Sequence, residues 1–327
     1  MEEPLLKRSM LLAAASLMAC ALAAPAAHAE WPERPIHFIV GFGPGGANDL
    51  IARFAAEGIG KELKQTVVVE NRPGAGAVIG TAYVAHAQPD GYTFLVGAAS
   101  TITNSLLLKD LPYKDSDLVP VGMIAVAPST IVVNPSVPAS NMKEFVAWAK
   151  AQNGKATWST AGNGSTPEFV AEMISEATGV KFNIIPYKSG GASVHGVMNN
   201  EVSATSEASI VVVPQIKAGT LKGIATTYSK RISSYPQIPT TAEQGFPTVQ
   251  IGHWAGLYAP AGTPQPIIDK MNAALQAALK NPETAEKLTR TGIEPAGGSV
   301  ADFVAFTKAE RQRLSDLASH IAKTKEK

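Results

Sequence analysis

Gly41-Phe42-Gly43-Pro44-Gly45-Gly46-Ala47-Asn48-Asp49, directly after the apolar run His37-Phe38-Ile39-Val40, decides how this chain is read. The pattern predicts a strand, a glycine-rich turn, and a helix whose first turn carries Asn48 and Asp49. Glycines let the backbone approach a ligand without side-chain interference. The helix start behind them offers unpaired N–H groups and the positive end of its dipole to an anion. Three readings are open. The segment is a plain tight turn, or a dinucleotide fingerprint, since Gly41, Gly43 and Gly46 have Gly-x-Gly-x-x-Gly spacing and Glu70 closes the next apolar run. Alternatively its amides hold one small carboxylate.

Upstream residues weigh on that choice. Lys7 and Arg8, the apolar stretch Met10 to Ala24, and Ala27-His28-Ala29 form an export signal over 1–29, cleaved near Ala29. A mature start at Glu30 places the protein in the periplasm, where redox cofactors are rarely supplied. Pro44 also stiffens the loop that a dinucleotide would need to wrap. The single cysteine, Cys20, falls inside the leader, so the mature chain has no thiolate for disulfides, nucleophilic catalysis or metal. Leu17-Met18-Ala19-Cys20 partly resembles a lipidation site, which makes lipid attachment at Cys20 the competing reading. Net charge is +1 with and without the leader, which gives no field for nucleic acid.

Short apolar runs alternating with helical stretches predict an α/β fold with a parallel sheet. Length predicts two domains. Strands are expected at 36–41, 66–70, 92–96, 157–159, 183–185 and 222–226. The runs Val121–Ala127 and Thr130–Val133, broken by Pro128, carry the chain into a second lobe, and 251–258 brings it back. The expected division is lobe 1 at 30–128 and 251–327, lobe 2 at 129–250, with a ligand cleft between them. Hinges are expected near Ala127–Thr130 and Gln250–Trp254. Ligands in such sheets bind at the carboxyl ends of strands.

Other segments belong to that cleft. Thr160-Ala161-Gly162-Asn163-Gly164-Ser165-Thr166 is a second glycine-rich turn before a helix that begins near Pro167; it also reads as a simple N-cap loop. Ala98, Ser100 and Thr101 follow the third strand as small and polar residues. Tyr187 and Lys188 follow another strand, where the lysine suits a carboxylate and the tyrosine a hydrogen bond or a stacked ring. Catalysis finds little support: Ser165 lacks a Gly-x-Ser-x-Gly elbow, and His37, His86, His195, His253 and His320 are scattered without metal-ligand spacing. His37 and His253 fall in strands and read as structural. No cofactor and no metal are expected.

Several segments together resemble a known family. Trp31-Pro32-Glu33-Arg34-Pro35-Ile36, the Gly43–Asp49 turn, Val68-Val69-Glu70-Asn71-Arg72-Pro73-Gly74, Pro89-Asp90-Gly91-Tyr92, Asn134-Pro135-Ser136-Val137-Pro138, Gly162-Asn163-Gly164-Ser165, Ile185-Pro186-Tyr187-Lys188, Ile216-Lys217-Ala218-Gly219 and Ala259-Pro260-Ala261-Gly262-Thr263-Pro264 occur in the family's order. The chain resembles the periplasmic solute receptors of tripartite tricarboxylate transporters (the Bug or TctC family). The resemblance implies a two-lobed type II periplasmic-binding-protein fold, monomeric, closing on a small organic carboxylate. It implies delivery to a permease of one large and one small integral-membrane subunit. The alternatives are an exported hydrolase using Ser165, or a sensory receptor that presents its ligand to a signalling partner.

Carried over residue by residue, the family's site falls on Phe42, Gly43, Gly45, Gly46, Asn48 and Asp49 of the first turn. In the second lobe it falls on Thr160, Asn163, Gly164, Ser165 and Thr166, with Tyr187 and Lys188 at the border. This chain departs from the family in three places. Gly41 replaces the usual proline of Pro-Phe-x-Pro-Gly-Gly. Ser189 replaces a glycine after Tyr187-Lys188. Thr205-Ser206-Glu207-Ala208-Ser209 stands where a Phe-Asp-Asn-like segment is common, so Glu207 is expected to meet a ligand amine or hydroxyl, or to repel a second carboxylate.

Overall fold

The computed structural model describes residues 30–325. Strand β1 (Ile36–Val40) is built from side chains that are almost wholly buried. It lies between β2 (Val67–Asn71) and β3 (Thr93–Gly97), parallel to both. Each gap is filled by a helix: α1 (Ala47–Leu63) after β1 and α2 (Val78–Ala85) after β2. Helix α1 ends where Lys64 turns left-handed at φ 51° and its N–H closes on the Gly60 carbonyl.

Helix α3 (Ala99–Leu107) follows β3 at once, and the chain then enters the long strand β4 (Leu118–Val133). The expected break at Pro128 does not occur. Leu118 to Pro128 pair antiparallel with β9 (Gly252–Pro260), while Ser129 to Val133 pair with β7 (Ala204–Ala208) and Thr130 to Val133 with β8 (Lys222–Thr226). Proline cannot donate to a ladder. Pro128 is tolerated because it stands where the strand leaves one set of partners for another.

Beyond β4 come α4 (Met142–Ala151), β5 (Thr157–Thr160), α5 (Thr166–Thr178), β6 (Asn183–Pro186), α6 (Gly190–Met198) and, after β7, α7 (Ser209–Lys217). Pro167 sits in the first turn of α5, and Gly179 ends that helix left-handed at φ 74°. Strands β5, β6 and β7 run parallel. Past β9 the chain is helical: α8 (Gln265–Lys280), α9 (Pro282–Arg290) and α10 (Val300–Lys325), with the short β10 (Glu294–Pro295) returning to β4.

The ten strands among the described residues join in one sheet, ordered β2-β1-β3-β9-β4-β7-β5-β6, with β8 and β10 also on β4. The sheet is mixed rather than wholly parallel, because β4 and β9 cross it antiparallel to their neighbours. Aromatic residues fill the core on both sides of that crossing. Trp158, Phe145, Trp148 and Phe182 cluster beside β5, and Trp254, Tyr258, Phe303 and Phe306 pack α10 onto β9. From Arg34 onward the chain makes one unit. The leader expected at 1–29, with Cys20 and the cleavage site, lies outside the described residues.

Candidate functional site

Five strand-to-helix junctions meet at one place: β1 into α1, β3 into α3, β5 into α5, β6 into α6 and β7 into α7. Residues from all five junctions line one inner cavity of about 30 Å³, together with His253 of β9. Each helix start carries unpaired N–H groups and a partial positive charge of about half a unit. Among the described residues no lysine or arginine lines the cavity, so the positive potential comes from backbone.

Eight of the residues expected at the site meet here: Phe42, Gly46 and Asn48 from the first turn, Ala98 and Ser100, Ser165 and Thr166, and Glu207. Asn48 also ties the sheet together, its Nδ2 donating to the carbonyls of Gly97 and Trp254, each at 3.4 Å. Gly46 and Gly190 approach so closely that a Cβ on Gly46 would stand 3.3 Å from Gly190 N.

Asn163, Tyr187 and Lys188 line a separate outer cleft of about 690 Å³. Phe42 and Ala161 border both spaces and stand between them. The Tyr187 hydroxyl donates to Glu201 Oε2 at 3.2 Å.

The remaining six line neither space and hold the turns in shape. Asp49 accepts from Gly45 N, from the Arg53 guanidinium and from Asn71 Nδ2. Burial alone would raise its carboxyl, but these bonds outweigh it and hold the group below the ordinary value. Gly43 N donates to Lys188 O at 3.1 Å. Thr101 Oγ1 accepts from Ala98 N, and Thr160 Oγ1 from Gly162 N. Gly164 donates to Glu168 Oε2 and its carbonyl accepts from Thr103 Oγ1. The amides of Gly43, Gly45 and Gly164 are thus already spent.

Glu207 and His253 form the acid–base pair of the cavity. Both are buried, at 2 % and 7 % exposed. His253 Nε2 lies 3.3 Å from Glu207 Oε1, off the hydrogen-bonding direction, and has no partner. Burial pushes the Glu207 carboxyl up to about 7, against one opposing bond from Ala208 N, and pushes the imidazole down to about 3. At that value His253 is neutral, so the short distance is not an ion pair. Ser100 Oγ is a second unpartnered buried atom on the same cavity.

Serine, histidine and a carboxylate on one cavity invite comparison with a nucleophilic triad. A triad needs the serine hydroxyl on the imidazole. Here Ser165 Oγ donates to Gly162 O at 2.6 Å and His253 Nε2 is unpartnered, so no relay is assembled.

Among the cavity residues that sequence reasoning did not place there, His253 and Gly190 matter most to its chemistry. His253 looked like an ordinary strand residue, and its closeness to Glu207 exists only in space. Gly190 did carry a signal, since Ser189-Gly190-Gly191 repeats the glycine-rich helix start seen at Gly45-Gly46.

Helix starts converging at the carboxyl ends of strands, on either side of a crossing strand pair, are the architecture of a periplasmic solute-binding protein. The chain belongs to the tripartite tricarboxylate transporter receptor family: the family model described as "Tripartite tricarboxylate transporter family receptor" (TctC) matches residues 51–322. The protein BugT of Bordetella pertussis is 34 % identical over 299 residues, 90 % of this chain and 92 % of that one. The solved structure of periplasmic binding protein BugD superposes with a TM-score of 0.86 at 34 % identity, covering 89 % of this chain and 99 % of BugD. Rpa4515 of R. palustris, solved with adipate, gives a TM-score of 0.86 at 30 % identity, covering 90 % and 99 %. The fold is therefore the α/β periplasmic-binding-protein fold of this family, and the chain is one of its solute receptors.

Proposed function

We propose that the chain is exported to the periplasm, loses its leader near Ala29, and binds one small organic carboxylate in the inner cavity without transforming it. The ligand lies between lobe 1 (30–128 and 251–327) and lobe 2 (129–250). It is then handed to a permease of one large and one small integral-membrane subunit. The observation that carries this reading is a cavity ringed by five helix starts, free of lysine and arginine, with Ser100 Oγ and His253 Nε2 left without partners. Buried polar atoms usually have partners, and a bound solute would supply them to these two cavity atoms. Adipate in the related Rpa4515 supports the carboxylate. Family membership supports the permease.

The lobe boundary is supported by the change of partners at Pro128 and Ser129 of β4. At about 30 Å³ the cavity admits water but no organic acid. The lobes must part for a ligand to enter and leave, by a hinge where β4 and β9 cross. Hydrogen bonds from several helix starts support binding in the micromolar range, about −8 kcal/mol.

Gly46→Leu tests the reading. Gly46 has φ −86°, which any residue adopts, so the substitution strains no backbone dihedral. A side chain there meets the start of α6 and blocks closure on a ligand. The expected result is an unchanged far-ultraviolet spectrum with carboxylate affinity reduced at least about a hundredfold. Undiminished affinity would refute the cavity as the site.

A further inference from the structure

Glu207 is the one acidic side chain on the inner cavity. No lysine or arginine pairs with it among the described residues; its single charged-type neighbour is the neutral His253. Its carboxyl stands against two of the five helix starts. Oε1 accepts from Ala208 N, which caps α7, at 2.9 Å. Oε2 occupies the space over the first residue of α6, where a Cβ on Gly190 would lie only 1.8 Å away. Three starts remain for a ligand carboxylate: those of α1 at Gly46–Asn48, α3 at Ala98–Ser100 and α5 at Ser165–Thr166.

The Glu207 side of the cavity asks for a hydrogen-bond donor. The Glu207 carboxyl and the unpartnered His253 Nε2 face it, the latter an acceptor in the tautomer protonated at Nδ1. A second ligand carboxylate would set a like charge beside the buried Glu207 carboxyl, where the two resist being ionised together. An ammonium group reverses the sign of that interaction and supplies three donors.

We infer that the solute is an aminocarboxylate, its carboxylate on the starts of α1, α3 and α5 and its ammonium on Glu207, and that Glu207 selects against diacids of equal length. This rests on the receptor reading above. It separates this chain from relatives such as Rpa4515, whose structure holds the diacid adipate.

Isothermal titration of the mature protein at pH 8, where the Glu207 carboxyl is ionised, tests the inference. The probes are alanine, 2-aminobutanoate, 4-aminobutanoate and 5-aminopentanoate, set against malonate, succinate and glutarate. The expected result is that the best aminocarboxylate binds at least about tenfold tighter than the best diacid. In Glu207→Gln that preference should collapse, with aminocarboxylate affinity falling and diacid affinity rising. A diacid that binds the wild-type protein as tightly as the best aminocarboxylate overturns the inference and leaves the receptor reading standing. So does a Glu207→Gln protein with an unchanged preference. If that variant does not fold, the wild-type comparison decides alone. Failure of every carboxylate to bind overturns the receptor reading and this inference with it.

Discussion

A Cβ on Gly190 would stand 1.8 Å from Glu207 Oε2, so Gly190→Ala must push the carboxyl out of its place. Overpacking of this kind costs about 1–3 kcal/mol. Glu207→Ala empties the space, and the double variant should recover most of that loss. Urea unfolding of the four proteins should show a coupling of about 1 kcal/mol or more; simple additivity would mean the two residues do not share the space. The same carboxyl predicts a pH effect. Folded Glu207 holds its proton up to about pH 7, whereas the unfolded chain releases it near 4.5, so this group's stability contribution falls as pH rises through that window. His253 acts oppositely: only the unfolded chain takes up its proton between pH 6.5 and about 3, so stability rises with pH there. Glu207→Gln removes the first effect alone. Relative to the wild type, the variant should gain stability from pH 4.5 to 7.5, up to about 3 kcal/mol. A difference that does not change with pH would contradict a buried, unpaired carboxyl.

Elements set which of these residues can meet. Asp49 holds the β1–α1 turn through Gly45, Arg53 and Asn71, and Asn71 in turn donates to Phe42 O at 3.0 Å. Asp49→Ala should cost about 2–3 kcal/mol by urea unfolding, because bonds to a charged group are lost from a buried turn. An unchanged midpoint would show that the glycines shape the turn unaided. The turn itself was legible: an apolar run, clustered glycines and a helix start are local signals. So was α5, from Pro167, whereas Glu207 stood out only as a departure from the family's pattern. Helices α3, α6 and α7 were not legible. Ala99–Leu107 is rich in threonine and serine, Gly190–Met198 in glycine, and Ser209–Lys217 carries Ile210-Val211-Val212-Val213 with Pro214 inside. Their propensities oppose helix, and packing decides. The unbroken course of β4 through Pro128 was hidden for a related reason, since only the exchange of partner strands makes that proline harmless.

At the scale of the molecule, the two halves of the sheet are closed on each other. Gly43 N donates to Lys188 O and Thr103 Oγ1 to Gly164 O. A ligand favours a closed state that has room for it only through its greater affinity for that state. The α/β class and the alternation of elements could be read from the sequence, because apolar runs and turn residues report on chain-local order. The convergence of five helix starts could not, since it depends on strands far apart in the chain. The central claim is that this cavity closes on a carboxylate. Small-angle X-ray scattering of the mature protein, with and without a saturating carboxylate identified by titration, tests it most directly. The account predicts one ligand bound per chain and a smaller radius of gyration on binding, with both responses lost in Gly46→Leu. A carboxylate that binds without compaction, or that compacts the Gly46→Leu variant equally well, would contradict it.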